Sequence, residues 1–211
     1  MKLYLSSFRL GDHPEHLVAM LPPKARIAVI CNAIDSEEPV LREEKVAAEH
    51  RWLVELGLRP EEVDLRDFVP GEPGAEGLRA RLAGFDGMWV RGGNVFVLRA
   101  AMARSGADAI LPELIRSERL VYAGYSAGGC VLAPSLRGLE LCDDVSEVED
   151  VVWDGLGVLD EAFVPHLNSP GHPETELIEK VRELYERTAV PYVPLSDGQA
   201  LVINGETRTL V

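Results

Sequence analysis

The chain is short of basic residues and of cysteine. Its 21 lysines and arginines stand against 35 aspartates and glutamates, so the formal net charge at pH 7 is −14. Such a charge gives no attraction to phosphate backbones or anionic headgroups, which argues against nucleic acid and membrane surfaces as partners. The cysteines, Cys31, Cys130 and Cys142, are odd in number and lack C-x-x-C spacing. They are expected to be reduced thiols, not a disulfide framework or a zinc site.

Long apolar runs are lacking as well. No stretch approaches the length of a membrane-spanning helix, and residues 1–5 lead straight into a predicted strand with no signal-peptide core. A cytoplasmic protein is therefore expected.

What the chain does have is a regular alternation of short apolar runs and amphipathic segments. Strands are predicted near residues 3–7, 26–31, 63–65, 88–91, 120–123, 162–165 and 190–193, before a last pair of short strands, with helices between them. This alternation predicts an α/β fold, a doubly wound and mostly parallel sheet with helices on both faces. Residues 70–74 are predicted to form a loop inside one α/β domain that spans residues 1–211.

A serine between small residues follows the apolar run of residues 120–123. The segment Gly124-Tyr125-Ser126-Ala127-Gly128 is typical of a sharp strand-to-helix turn that exposes a hydroxyl at the end of a strand. Such a turn also directs backbone N–H groups at a developing oxyanion. Ser126 is therefore a candidate nucleophile, and the alternative is a tight turn in which it only caps a helix.

A serine nucleophile needs a base, and the candidates are the five histidines. His13, His16 and His50 lie in polar or charged segments and are expected at the surface. His166 ends an apolar run and precedes a polar loop, which is where an open α/β sheet gathers catalytic groups. His166 is the predicted base, and His172, further into the loop, is the alternative.

The acid of a serine triad orients the histidine and stabilises its charged form. Between Ser126 and His166 the chain carries Glu140, Asp143 and Asp144, followed by a further acidic run. Most of this run is expected to be a solvated loop, and the spacing leaves the choice among the three carboxylates open.

A second glycine cluster, Gly92-Gly93-Asn94, follows the predicted strand at residues 88–91. Two neighbouring strand–glycine–helix units are expected to meet at one site, where Gly92 and Gly93 would complete an oxyanion hole with Ala127. A dinucleotide-binding turn is the competing interpretation, but the Gly-x-Gly-x-x-Gly spacing is missing.

In combination these segments resemble the dipeptidase E family of serine peptidases. The shared segments are Gly92-Gly93-Asn94, the turn around Ser126, Ala133-Pro134-Ser135, Gly155-Leu156-Gly157 before Pro165-His166, and Pro194-Leu195-Ser196-Asp197-Gly198. The resemblance implies a class I glutamine amidotransferase-like fold with serine in place of cysteine. It implies Ser126 as nucleophile, His166 as base and Glu140 as acid, with Asp143 and Asp144 as the alternatives.

One departure from that family concerns the substrate. Members that cleave after an N-terminal aspartate carry an arginine in the helix after the histidine loop, where this chain has Glu176. Arg182 and Arg91 are the cations expected to substitute, with Asn94 as a further substrate contact. Strict aspartyl specificity is therefore not expected.

The expected function is that of a serine peptidase that hydrolyses dipeptides or short peptides through an acyl-enzyme. It would need no cofactor or metal, and its partner would be a small peptide bound by a monomer or a homodimer. Three alternatives stay open: a cyanophycinase-like peptidase, an α/β-hydrolase-type carboxylesterase, and an inactive binding module on the same fold.

Overall fold

Seven strands form the central sheet in the computed structural model, which describes residues 1–69 and 74–211. Two further strands lie outside this sheet, and in chain order the strands of the described residues are β1 (Lys2–Ser6), β2 (Arg26–Ile30), β3 (Arg59–Glu62), β4 (Gly87–Val90), β5 (Val121–Tyr125), β6 (Ala162–Val164), β7 (Tyr192–Pro194), β8 (Ala200–Asn204) and β9 (Thr207–Leu210). The sheet order is β3-β2-β4-β5-β1-β8-β9, and the strands from β3 to β1 in that order are parallel. β8 and β9 add an antiparallel hairpin at one edge. β6 and β7 pair in a separate two-stranded parallel sheet.

Helices cover both faces of the central sheet. They are α1 (Glu15–Ala19), α2 (Pro39–Glu55), α3 (Gly74–Leu82), α4 (Val95–Ser105), α5 (Ala107–Arg116), α6 (Ala127–Cys130) and α7 (Thr175–Thr188). Within residues 1–69 and 74–211, none of the helices combines the length and the hydropathy that a membrane crossing requires.

Alternation along the strands creates two hydrophobic cores. In β1, Leu3 and Leu5 pack on one side of the sheet with residues of α3, α4 and α5, whereas Tyr4 packs on the other side with Leu17 of α1 and Leu53 of α2. Successive side chains of a strand point to opposite faces, so a strand buried on both sides must be apolar throughout. The predicted doubly wound α/β fold is thereby confirmed.

The third strand lies earlier in the chain than the sequence predicts. The predicted strand at residues 63–65 is wrong. The strand is Arg59–Glu62, and Leu65, which is buried like Val63, begins a short 3-10 helix. In the described part of the chain β3 is an edge strand that pairs with β2, and its side chains are exposed or half-buried. The predicted loop at residues 70–74 lies mostly outside the described residues, and Gly74 is already the first residue of α3.

Strand register brings distant parts of the chain to one edge of the sheet. Val90 at the end of β4 pairs with Gly124 of β5, and Ser6 at the end of β1 pairs with Tyr125. Because β8 runs antiparallel to β1, the start of β8 at Ala200 also lies beside Ser6. The residues that follow β1, β4 and β5 and those that precede β8 therefore meet at this edge.

Candidate active site

Ser126 occupies a strained turn between β5 and α6. Its backbone has φ 49° and ψ −118°, a conformation that residues other than glycine rarely adopt. The flanking glycines make the turn sterically feasible: a Cβ at Gly128 would lie 2.2 Å from the carbonyl oxygen of Val90, and a Cβ at Gly124 would lie 2.6 Å from it. The predicted strand–turn–helix context of Ser126 is present, and the hydroxyl-bearing residue is partly exposed.

His166 lies two residues beyond β6, so it follows the small parallel sheet and not a strand of the central one. The side chain is 1% exposed, and its Nδ1 lies 2.7 Å from Oδ1 of Asp197. Its backbone N–H donates to Oγ of Ser7 at 2.8 Å. Burial lowers the pKa of His166 below its ordinary 6.5, and the hydrogen bond to Asp197 opposes this only in part. The ring is therefore held neutral, with Nε2 free to accept a proton, near pH 7.

The carboxylate on His166 is Asp197, so the expectation that Glu140, Asp143 or Asp144 orients this histidine is corrected. Glu140 accepts the backbone N–H of Gly138 at 2.5 Å. Asp143 accepts the N–H of Val95 at 2.7 Å, and burial raises its pKa to about 7. Asp144 accepts the N–H of Ser146 at 2.8 Å. All three carboxylates hold loop or helix ends instead.

Asp197 lies in the turn between β7 and β8, at the sheet edge that also carries Ser126. Its Oδ1 accepts from Ser7 Oγ at 2.8 Å, and its backbone N–H donates to Oγ of Ser169 at 2.8 Å. The sequence signal for it was the segment Pro194-Leu195-Ser196-Asp197-Gly198, which carries a carboxylate in a turn but follows the histidine in the chain.

The predicted oxyanion-hole glycines lie against the nucleophile turn. A Cβ at Gly92 would be 2.9 Å from the Cβ of Ser126, and a Cβ at Gly93 would be 2.5 Å from the carbonyl oxygen of Ala33. Gly93 also has φ +144°, which favours glycine. No hydrogen bond from the N–H of Gly92, Gly93 or Ala127 is formed within the described residues.

Ser126 and His166 line one cleft of about 370 Å³. Phe8, Trp52, Tyr125 and His172 supply aromatic walls, and charged groups of both signs surround them: Arg9, Lys45 and Arg91 against Glu37, Glu49 and Glu174. A cleft of this size, with apolar walls and a few polar groups, is suited to a small molecule that carries both charges.

Comparison with known proteins identifies the chain. The sequence profile of Peptidase family S51 matches residues 9–211. The chain belongs to this family. It is a serine-type peptidase, and the resemblance to the dipeptidase E family is confirmed.

Relatives and solved structures agree with this assignment. An uncharacterized peptidase of Listeria monocytogenes is 30% identical over 162 residues, which cover 76% of this chain and 75% of that protein. Peptidase E of Streptomyces coelicolor is 34% identical over 135 residues, or 62% of this chain and 54% of that protein. The crystal structure of a protein of Listeria monocytogenes assigned as a peptidase E superposes with a TM-score of 0.80 at 26% identity, and covers 100% of this chain and 97% of that one.

Of the predicted substrate-binding residues of this S51 peptidase, the cleft contains only Arg91. Its Nη1 donates to the carbonyl oxygen of Gly92 at 2.7 Å, and its Nε lies 3.1 Å from Oε1 of Glu49. Asn94 instead caps α4, because its Oδ1 accepts from Phe96 and its Nδ2 donates to the carbonyl oxygen of Asp144. A substrate contact by Asn94 therefore stays a prediction, and its observed role is that of a helix cap.

Arg182 does not reach the cleft of the S51 peptidase either. It lies on α7, where its guanidinium pairs with Glu179 at 2.8 Å and with Glu186 at 2.7 Å. These partners are on its own helix, so no contact in the cleft supports the prediction that Arg182 binds substrate.

Sequence reasoning missed a buried carboxylate below the cleft of this S51 peptidase. Glu49 of α2 is 0% exposed and accepts hydrogen bonds from Trp89 Nε1 and Tyr125 Oη, each at 2.7 Å. Burial raises its pKa, while the two hydrogen bonds and the charge of Arg91 oppose that rise. The helical pattern of charges around Glu49 resembles a solvated face, and only the packing of α2 on the sheet reveals its burial.

One group of side chains in the S51 peptidase has the composition of a metal site but not the geometry. His166, His172 and Glu174 bring potential ligand atoms within 4.8 Å of one another. The two rings are stacked, with centroids 3.7 Å apart and planes inclined by 4°. A histidine binds zinc along the lone pair in its ring plane, at about 2.0–2.1 Å. An ion in the plane of one stacked ring therefore lies out of the plane of the other. As arranged, His166 and His172 cannot both bind the same ion.

Proposed function

We propose that the protein is a dipeptidase or small-peptide exopeptidase that acts through a Ser126, His166 and Asp197 triad. The observation that carries the proposal is the 2.7 Å contact between His166 Nδ1 and Asp197 Oδ1, in a cleft that Ser126 also lines. The carboxylate fixes the tautomer with the proton on Nδ1, which leaves Nε2 as the acceptor for a serine proton.

The proposed reaction has two steps on Ser126. In the first, Oγ attacks the scissile carbonyl while Nε2 of His166 takes its proton, and the protonated ring then gives that proton to the leaving amine. In the second, water attacks the ester and His166 again acts as base. The N–H groups of Gly92, Gly93 and Ala127 are the proposed donors to the oxyanion, since no protein acceptor within the described residues occupies them.

The limited size of the cleft supports a short substrate. Its volume of about 370 Å³ is near the lower end of the range for small-molecule sites. A dipeptide carries a free ammonium and a free carboxylate close together, and the cleft presents Glu174 near His166 as well as three cations. Membership of a peptidase family favours this reading over the carboxylesterase alternative.

The test is acyl-enzyme formation and turnover on a panel of dipeptides. Ser126→Ala should lower kcat/KM by about 10⁴-fold or more, the size of effect seen for triad members. Ser135→Ala, which alters an exposed serine beyond the turn, is the matched control and should be near wild type. Rapid-quench detection of a covalent adduct on Ser126 should accompany turnover. Full hydrolysis by the Ser126→Ala protein would refute the proposal.

A further inference from the structure

The three cations of the cleft differ in whether an acid already neutralises them. Lys45 Nζ lies 2.5 Å from Oε1 of Glu37, and Arg91 Nε lies 3.1 Å from Oε1 of Glu49. Among residues 1–69 and 74–211, no carboxylate forms an ion pair with the guanidinium of Arg9. The charge of Arg9 opposes the rise in the pKa of buried Glu49, but among these residues its guanidinium N–H groups have no acceptor and are left for a ligand.

Aromatic rings hold the guanidinium of Arg9 in place. Its Cζ lies 4.7 Å from the centroid of the Phe8 ring and 5.1 Å from that of Trp52. Contacts of this kind with a ring face orient a planar guanidinium while its N–H donors stay available at the edge. Those donors match the two oxygens of a carboxylate.

The ring of Phe8 connects Arg9 to the proposed base His166. Phe8 meets the rings of His166 and Tyr125 edge to face, with centroids 5.9 and 6.3 Å away. Arg9 is therefore separated from the base by one aromatic side chain, and it lines the same cleft as Ser126.

The backbone at Arg9 is fixed in an unusual conformation. Its φ is 50°, in the left-handed region that few residues other than glycine adopt. The hydroxyl of Ser6 donates to the carbonyl oxygen of Arg9, and the N–H of Gly11 donates to that of Phe8 at 3.1 Å. The turn after β1 is thus held at the sheet edge that carries Ser126.

We propose that Arg9 binds a carboxylate of the peptide substrate, either the side chain of an acidic first residue or the C-terminal carboxylate of a dipeptide. This inference rests on the proposed function and names the group that selects its substrate. In this role Arg9 supplies a cation that the family resemblance places at the position of Glu176.

The test compares wild type with Arg9→Gln, Arg9→Lys and the control Arg182→Gln, whose arginine pairs on its own helix. For each protein, kcat/KM is measured on Asp-Leu, Asn-Leu and the C-terminal amides of both. Loss of a charge-assisted hydrogen bond in Arg9→Gln should lower kcat/KM by about 10- to 100-fold on substrates that carry the recognised carboxylate, with little change when it is absent. Arg9→Lys should lie between, since lysine keeps the charge but not the two-pronged geometry.

The two carboxylates that Arg9 could bind predict different changes in substrate preference. If Arg9 binds the first side chain, Arg9→Gln abolishes the preference for Asp-Leu over Asn-Leu; if it binds the C-terminus, the variant abolishes the preference for acid over amide. Equal selectivity in wild type and Arg9→Gln would overturn the proposal.

Failure of the proposed function has its own signature, which is wild-type inactivity on the whole panel. Calorimetric binding of the same peptides to Ser126→Ala, with and without Arg9→Gln, then decides the role of Arg9. Weaker binding of a carboxylate-bearing peptide to the double variant supports it, and unchanged or undetectable binding in both refutes it.

Discussion

The hydroxyl of Ser7 donates at 2.8 Å to Oδ1 of Asp197, the same oxygen that lies 2.7 Å from Nδ1 of His166. Ser7 also accepts the backbone N–H of His166 at 2.8 Å and is fully buried. One side chain directly after β1 therefore fixes both the base and the carboxylate that orients it, and it does not line the cleft.

Ser7→Ala should disturb catalysis more than binding. It leaves the N–H of His166 without its acceptor and frees the Asp197 carboxylate to move, and a displacement of about 1 Å in a catalytic group costs on the order of 10²-fold in rate. We expect kcat to fall by about 10- to 100-fold with little change in KM, and the acid limb of the pH–rate profile to shift. Ser7→Thr keeps the hydroxyl and should restore part of the rate. A variant with wild-type kcat and pH profile would show that Ser7 is only a packing residue.

The acid can be assigned by comparing two amide substitutions. Asp197→Asn should lower kcat by about 10⁴-fold, because the amide favours the wrong tautomer of His166. Glu140→Gln should have a mild effect, since its side-chain oxygen still accepts the N–H of Gly138. Steady-state kinetics on one dipeptide checks the ranking, with circular dichroism to establish that both variants fold. The opposite ranking would return the assignment to Glu140.

The strained turn at Ser126 predicts a gain in stability when the nucleophile is lost. Glycine adopts φ 49° and ψ −118° without the steric penalty that serine meets. Allowing for the greater freedom of glycine in the unfolded chain, Ser126→Gly should raise the free energy of unfolding by about 1 kcal/mol. Ser126→Ala keeps the Cβ and should give no such gain.

Urea denaturation of the two inactive variants measures this difference. Gly128→Ala serves as the opposite control and should be strongly destabilising, because its Cβ would meet the carbonyl oxygen of Val90. Equal stability of the glycine and alanine variants at position 126 would show that the turn is relaxed.

The pKa of His166 predicts the acidic limit of activity. The base must be neutral to accept the serine proton, and burial lowers its pKa below 6.5, with the charge of His172 acting in the same direction and Asp197 in the opposite one. Activity should therefore persist as the pH falls to 6.5 and decline only below it. Measuring kcat/KM against pH reports this limb for the free enzyme. His172→Phe, which removes the second charge but keeps a ring, should move the limb upward, and a wild-type limb above pH 7 would contradict the expected direction.

The sequence was most informative where a local constraint determines the structure. The glycines around Ser126 are required by the close approach of Val90, so the turn could be recognised from the amino-acid sequence alone. The capping role of Asn94 could have been predicted by the same kind of local rule, because asparagine is a favoured residue at the start of a helix.

Residues brought together by tertiary pairing were harder to predict. Asp197 follows His166 in the chain and reaches it only because β8 runs antiparallel to β1 and starts at the sheet edge that carries Ser126. The search for an acid between Ser126 and His166 could not include it. The position of Arg9 in the cleft was hard to predict for a similar reason, since nothing in its neighbourhood along the chain reveals that β1 lies next to β5.

The place of β1 in the sheet also governs when the site can form during folding. Its neighbours are β5 and β8, so Ser6 is beside Tyr125 and Ala200 only after two long loops have closed. Contacts of such high sequence separation form slowly, because the entropy of loop closure must be overcome before they stabilise anything. Helices and local turns can appear early in refolding without producing an enzyme. Return of peptidase activity should therefore mark the last kinetic phase, when the first strand is inserted and His166 meets its carboxylate.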